Sequence, residues 1–383
     1  MLIYKTNCLI NCLVLISQTQ AGSIDTSAFQ SSPSVKTLAL QTVKETVQLN
    51  PIFYRILERI YPNIFNPNSR LELSGLSYVF LIDDKPLPTT ECNLSDMDIE
   101  RIPMLLAKKM TDVEKLDLSE NKNLKLNEEW FKNFFTKLKE LSLKNCDLKE
   151  GDLEIIANLN SLEKLNISGN KNFKADSLHF IKILNNLNHL DISDCNLDHK
   201  ALKLIYSNAP KLESLNFSLN NLSNFSFKNR SDFPKFKETL KILKLINCKL
   251  TGSDLEKFFI FDNLEYIDLS NNIFSNIDEK IVEKLFNSEV QNSYIPNAKR
   301  ARLDTEFTNI NPKLSYEIYT SKLRAIGLNN CGIKSEMFVS KLFELENLET
   351  LRISNNQVKF NFDEILKKKQ ARILKFWKYH PVA

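Results

Sequence analysis

The side chains best suited to chemistry in this sequence are its cysteines and histidines. The chain of 383 residues has seven cysteines and four histidines, the residue types that bind zinc and form nucleophile–base pairs. The histidines are not spaced as metal ligands, and Cys195, six residues after His189, falls in a pattern that places it in the core. The sequence has neither a phosphate-binding loop nor a nucleophile elbow. We therefore expect no catalytic site, no bound metal and no cofactor.

Five of the cysteines alternate with asparagine along the chain. Successive members are 24 to 29 residues apart, except for one interval of 59 residues. An Asn side chain can donate and accept hydrogen bonds at once, whereas Cys is a small, usually buried residue with a weak donor. We interpret this shared position as structural, with Asn bonding the buried backbone of neighbouring turns. The series is Cys92, Asn121, Cys146, Asn170, Cys195, Asn220, Cys248, Asn272, Cys331 and Asn356.

The last nine members each end a stretch of the form L-x-x-L-x-L-x-x-N/C, such as VEKLDLSEN and LKELSLKNC, and Cys92 ends the degenerate LPTTEC. This pattern resembles the leucine-rich repeat family over roughly residues 85 to 360, and the Asn/Cys alternation resembles its ribonuclease-inhibitor type. The resemblance implies an α/β fold. We expect a right-handed horseshoe-shaped solenoid, with parallel strands on the concave face and short helices on the convex face.

The resemblance also implies that the concave face binds another protein. Cysteines two repeats apart would lie roughly 9–10 Å from each other, which is too far for a disulfide. We expect a monomer that carries free thiols and recognises its partner through exposed residues around the strands. The candidate partner-binding residues are Lys115, Asp117, Glu120, Glu140, Lys144, His189, Asp191, Asp194, Tyr266, Asp268 and Arg352. A column of serines at the strand ends is interpreted as shaping the strand.

The interval of 59 residues contains an insertion. Alternation predicts Cys after Asn272, and Cys331 is the next member, so we expect one repeat step plus an inserted loop at 287–320, after a helical segment at 277–286. Within the loop, Lys299, Arg300 and Arg302 resemble a nuclear localisation signal. A processing-protease site and a solvated charge run are the alternatives for this basic cluster.

The ends of the chain differ in composition from the repeats. Residues 1–21 have the layout of a secretory signal peptide, and residues 22–84 predict a helical N-terminal cap. The repeat domain then spans 85–362, and residues 363–383 form a basic amphipathic helix that we expect to cap the last repeat. A membrane surface or a partner groove is the alternative target of that helix.

Composition limits the possible functions. The net charge is +4, and the basic C-terminal segment accounts for most of it, so the repeat domain lacks the basic stripe of a nucleic-acid-binding surface. No apolar run is long enough to span a membrane. Few glycines and abundant Asn, Lys, Ile and Phe indicate an AT-rich genome, such as that of an intracellular parasite. We expect a non-enzymatic protein-binding module, secreted as an effector that acts in a host cell. The alternative is a resident cytoplasmic or nuclear scaffold or adaptor, F-box-like or GTPase-activating.

Overall fold

The structure is a computed structural model. It describes residues 89–102, 104–223, 238–258, 261, 263–286, 322–345 and 347–358, together with Arg55 and Arg59. Several predicted segments lie outside the described residues: the signal peptide (1–21), the N-terminal cap (22–84) apart from those two arginines, the insertion (287–320) with Lys299, Arg300 and Arg302, and the C-terminal helix (363–383).

The chain divides into two compact units, of which the first is Met1–Leu138. Its described part contains strands β1 (Glu91–Asn93) and β2 (Lys115–Asp117), which pair in parallel, and helices α1 (Met104–Lys109) and α2 (Glu128–Asn133). Helix α2 begins after Asn127, whose side chain accepts a hydrogen bond from the backbone N–H of Trp130. This bond satisfies one of the free donors at a helix start.

The second unit, Lys139–Ala383, contains eight further strands in a parallel sheet whose order follows the sequence. Short helices lie between most of them, two of which are 3-10 helices. The strands are β3 (Glu140–Ser142), β4 (Lys164–Asn166), β5 (His189–Asp191), β6 (Ser214–Asn216), β7 (Ile242–Lys244), β8 (Tyr266–Asp268), β9 (Ala325–Gly327) and β10 (Thr350–Arg352). The helices are α3 (Glu150–Ile156), η1 (Ala175–Lys182), α4 (His199–Asn208), η2 (Gly252–Lys257), α5 (Glu279–Phe286) and α6 (Glu336–Phe343). Within each unit the predicted repetition of short parallel strands is confirmed.

Each strand is short because only its central residue and the next apolar residue reach the core. In β4, Leu165 is buried while Lys164 is exposed and Asn166 half-buried, and Ile167 beyond the strand is again buried. The helices contribute the other side of this core, as Leu153 of α3 does. Alternation of buried and exposed residues is the pattern of a strand with one solvated face.

The structure confirms one part of the interpretation of the 59-residue interval, that it contains a single repeat step. Strand β8 pairs directly with β9, with Ile267 opposite Ile326, and α5 occupies the end of the segment predicted to be helical. One repeat step therefore separates Asn272 from Cys331 in space.

The recurring Asn residues make the bonds that the turns need. Asn170 is fully buried, and its Oδ1 accepts from the N–H groups of Cys146 (2.9 Å) and Leu148 (3.0 Å) in the preceding repeat. Its Nδ2 donates to the carbonyls of Leu143 (2.9 Å) and Ile167 (2.8 Å). One side chain thus satisfies four buried backbone groups, and Asn121, Asn220, Asn272 and Asn356 make the corresponding bonds.

Cys92 does not belong to this series. It is the buried central residue of β1 and lies opposite Leu116. The shared position belongs to Met97, whose N–H donates to Asn121 Oδ1 at 3.1 Å. The sequence placed the first repeat five residues too early because LPTTEC lacks the leucines that set the register elsewhere.

Candidate functional site

The solvent side of the sheet in the second unit is formed by two rows of side chains. The first and third residues of each strand flank a central residue that is buried in β3 to β9 and half-buried in β10, and the parallel register aligns them across neighbouring strands. We call these the first row and the third row, and we call the two rows together the strand face. The first row is Glu140, Lys164, His189, Ser214, Ile242, Tyr266, Ala325 and Thr350; the third row is Ser142, Asn166, Asp191, Asn216, Lys244, Asp268, Gly327 and Arg352.

Where the third row carries Asp or Asn, that side chain forms the turn that ends the strand. Asp191 Oδ1 accepts from the N–H (3.0 Å) and the Oγ (2.7 Å) of Ser193, which is an Asx turn. These aspartates, predicted to bind a partner, therefore have a structural role, and the serine column is explained as the other half of the turn. The same backbone bond joins Asp117 to Ser119, Asn166 to Ser168, Asn216 to Ser218 and Asp268 to Ser270.

Four repeats have no Asp or Asn in the third row, where they carry Ser142, Lys244, Gly327 or Arg352, and the last three satisfy the turn in another way. After Lys244, the N–H of Ile246 donates to Ser218 Oγ of the preceding repeat at 3.0 Å. After Gly327, the N–H of Asn329 donates to Ser270 Oγ at 3.1 Å. After Arg352, the N–H of Ser354 donates to Asn329 Oδ1 at 2.9 Å. The side chains of Lys244 and Arg352 are therefore not needed for the turn.

Several predicted partner-binding residues are paired within the chain. Glu140 forms an ion pair with Lys164 (3.0 Å), and Asp194 forms one with Lys171 (2.9 Å). In the first unit, Lys115 pairs with Glu91 (2.6 Å), and Glu120 lies in a turn with φ of 63°. Lys144 is exposed. Nothing in the structure tests whether these residues contact a partner, so that role stays a prediction.

His189 and Cys195 do not form a catalytic pair. His189 lies on the strand face with its Nδ1 2.6 Å from Asn188 Oδ1, and burial, followed by the charge of Lys164, lowers the pKa of its imidazole. The thiol of Cys195 donates instead to the carbonyl of Ile167 in the core (3.2 Å). Burial raises the pKa of this thiol to about 12, so it stays protonated and is a poor nucleophile.

The first row changes character between β6 and β10, where it carries no charge. Ile242, Tyr266 and Ala325 are neighbours in consecutive strands and are each half-buried. The Tyr266 hydroxyl donates to Asp268 Oδ2 at 3.0 Å, and burial followed by the negative charge of Asp268 raises the pKa of that hydroxyl. The sequence interpretation named Tyr266 but missed Ile242, because it selected charged residues instead of following each row.

Leu219 adds an exposed apolar side chain beyond the C-terminal end of β6, where its N–H donates to the carbonyl of Ile246 in the next repeat. It occupies the left-handed turn position after β6, with φ of 62°, and is 50% exposed. The corresponding turn positions elsewhere carry mostly Asn, Asp or Gly, which tolerate this conformation better than Leu. A strained residue that exposes apolar surface is a signal of function. We call Leu219, Ile242, Ile246, Tyr266 and Ala325 the apolar patch.

The described residues also limit other kinds of site. Within them, no three His, Cys, Asp or Glu side chains are arranged to hold a metal ion. In the same part of the chain, no helix has the length and apolar character needed to cross a membrane.

Comparison with known proteins agrees with the repeat pattern. Residues 263–285 match the model of the Leucine Rich Repeat. Among solved structures, an internalin (inlF) from Listeria monocytogenes is similar over 82% of this chain and 92% of that chain, with 17% identity and a TM-score of 0.44. No curated protein matches the chain. The ribonuclease-inhibitor type stays a prediction. The matched stretch contains β8 and the buried Asn272, and the same strand and turn recur in the other repeats, which is the pattern of a leucine-rich repeat protein.

Proposed function

We propose that this chain is a non-enzymatic module that binds another protein through the strand face from β6 to β10. The observation that carries the proposal is the run of uncharged first-row residues Ile242, Tyr266 and Ala325. In the earlier strands the first-row charges of Glu140 and Lys164 neutralise each other in an ion pair. Protein interfaces are enriched in aromatic residues and Arg and depleted of other charges at their centre.

The local structure supports this use of the surface. Its backbone is held by the bonds from Ser218, Ser270 and Asn329 to the next repeat. A surface fixed before binding loses little conformational entropy on association. The protonated core thiol of Cys195 and its separation from His189 support a module without catalysis.

Affinity capture with paired variants tests the proposal. The full chain and the double variant Ile242→Ser, Tyr266→Ser would be immobilised and exposed to the same extract, with Met337→Ser as the control. Met337 is exposed on α6, away from the strand face. Proteins retained by the wild type and by Met337→Ser should be lost from the double variant, provided that its melting temperature shows a folded chain. An unchanged set of retained proteins would contradict the proposal.

The place of action is a second part of the proposal. We place the module in a host cell after export, which is supported by the signal-like residues 1–21 and the basic cluster in 296–304. Fusing residues 294–306 to a cytosolic reporter should carry the reporter into the nucleus, and replacing Lys299, Arg300 and Arg302 with Ala should abolish this. A reporter that stays in the cytosol would leave the basic cluster as a solvated charge run or a processing site, and the proposed place of action would lose its nuclear argument.

A further inference from the structure

We propose that the partner segment bound between β7 and β10 is acidic. Two carboxylates of this segment bind Lys244 and Arg352. One apolar side chain between the two carboxylates packs on the apolar patch. This inference rests on the proposed function and specifies the chemistry of the partner.

The first argument is that these two cations have no ion-pair partner among the described residues. By contrast, Lys164 of the first row pairs with Glu140 of the preceding repeat, and Lys115 of β2 in the first unit pairs with Glu91. Among the residues that the structure describes, neither Lys244 nor Arg352 forms an ion pair.

Asp268, which lies between them in the third row, does not neutralise them. Its Oδ1 accepts from the N–H of Ser270 and its Oδ2 from the hydroxyl of Tyr266, both at 3.0 Å. The residue is only 7% exposed. Both oxygens are thus engaged in holding the turn and the tyrosine, while Arg352 is exposed and Lys244 is half-buried.

The second argument is that the turns do not need these side chains. The backbone N–H groups that follow Lys244 and Arg352 are satisfied by Ser218 and Asn329 of the preceding repeats. Two long cationic side chains stand in positions where Asp or Asn would close the turn locally, and the described part of the chain gives them no structural role. Recognition of carboxylates explains both, and Arg in particular binds a carboxylate with two parallel bonds.

The register sets the spacing of the partner groups. Lys244, Asp268, Gly327 and Arg352 follow one another in adjacent strands, so the two cations are three strand steps, roughly 14 Å, apart. An extended segment that crosses the strands rises about 3.3 Å per residue and alternates its side chains. Residues i and i+4 of that segment would supply the carboxylates. Residue i+2, on the same side, would supply the apolar group. Gly327 has no side chain to obstruct it.

Peptide selection tests this pattern directly. A displayed library of random twelve-residue peptides would be selected against the immobilised full chain. Selected peptides should be enriched in Asp or Glu at i and i+4 with an apolar residue at i+2. Synthetic versions should bind at least about fivefold more weakly to Lys244→Gln and to Arg352→Gln, and more weakly at high salt, because exposed charge pairs are screened.

Lys164→Gln is the matched control, since its ammonium group is already paired with Glu140, and it should leave the affinity unchanged. Melting temperatures would establish that all three variants are folded. Peptides that lack the acidic pair, that bind the Gln variants equally well, or that are not recovered at all would overturn the inference. Capture of a partner that depends on Tyr266 but not on Lys244 or Arg352 would leave the proposed function intact, so the two failures are distinguishable.

Discussion

Gly327 in β9 leaves the space that the carboxylate of Asp268 in β8 occupies. The two residues are register partners, and a Cβ at position 327 would lie 2.6 Å from Asp268 Cγ and 2.9 Å from its Oδ2. Glycine at this point of the third row is therefore tied to the aspartate of the neighbouring strand. Because Gly327 has no side chain, the carboxylate of Asp268 has room to accept hydrogen bonds from both Tyr266 and Ser270.

Substituting Gly327 with Ala should destabilise the second unit. The added methyl group would displace the Asp268 carboxylate and weaken its bonds to Tyr266 and Ser270, at a cost of about 1–3 kcal/mol. Urea unfolding followed by circular dichroism measures this cost. Gly151→Ala is the control, because nothing lies within 4 Å of its new Cβ in α3. It should be neutral or stabilise the chain by up to about 1 kcal/mol. Equal effects of the two substitutions would contradict the steric argument.

Asn170→Ala should be among the most damaging small substitutions in the repeats. It would leave two buried N–H groups and two carbonyls without their partner, and we expect a loss of about 3 kcal/mol or more, since each unsatisfied group costs about 1–3 kcal/mol. Cys195→Ala removes one weak donor and a small volume, so its loss should be about 1 kcal/mol. Thermal melts of the two variants would compare them directly. A harmless Asn170 substitution would refute the bonding role assigned to this position.

Asp191 tests the Asx turn separately from charge. Asp191→Asn keeps an acceptor for Ser193, as Asn166 does for Ser168 in the preceding repeat, and should change stability by less than about 0.5 kcal/mol. Asp191→Ala removes the acceptor and should cost about 1 kcal/mol. Denaturant midpoints distinguish the two cases. If Asn and Ala were equally destabilising, the second carboxylate oxygen of Asp191, which accepts from Asn216 Nδ2 at 2.8 Å, and not the turn bond would be responsible.

Stability should fall in alkaline solution because of the buried thiols. Burial raises the pKa of Cys195 and of Cys248 to about 12, whereas an exposed thiol loses its proton near pH 8.5. The unfolded chain therefore binds fewer protons than the folded chain above that pH. The stabilisation is complete below about pH 8.5 and is lost as the pH rises toward 12, by at most about 1.4 kcal/mol per pH unit for each thiol.

Melting temperatures measured between pH 7 and pH 10.5 would show this decline. Cys195→Ala should have a shallower decline than the wild type, relative to its own value at pH 7. An identical slope in the two proteins would mean that the thiol does not remain protonated in the fold.

The sequence predicted those parts of the fold that repeat. Leucine spacing located nine strands, and the Asn/Cys alternation showed that Asn272 and Cys331 are one step apart, because each buried Asn must satisfy the same backbone groups. The first repeat was not predicted correctly. Met97 occupies the position that Asn or Cys occupies in the other repeats, and Cys92 was assigned to that position instead. The bond to Asn121 comes from the backbone N–H at position 97, which most residue types could supply, so the residue type at this position gives little information.

The candidate surface was only partly predictable. Tyr266, Asp268 and Arg352 were identified because their side chains carry chemistry, yet Asp268 holds a turn. Lys244 and Ile242 were missed because their significance depends on neighbours in other strands. Which third-row positions need no Asp or Asn follows from bonds between repeats, such as the one from the Ile246 N–H to Ser218 Oγ, and these bonds leave no mark on residue spacing.

The direct pairing of β8 with β9 has a consequence for chain entropy. Closing a connection of 59 residues instead of about 25 costs only about 0.8 kcal/mol more, since the closure entropy of a flexible connection grows with the logarithm of its length. That difference is smaller than the loss of stability expected from Asn170→Ala. Chains with longer or shorter connections between α5 and β9 should therefore keep nearly the same stability, so this position can diversify in length while the repeats on either side retain their sequence.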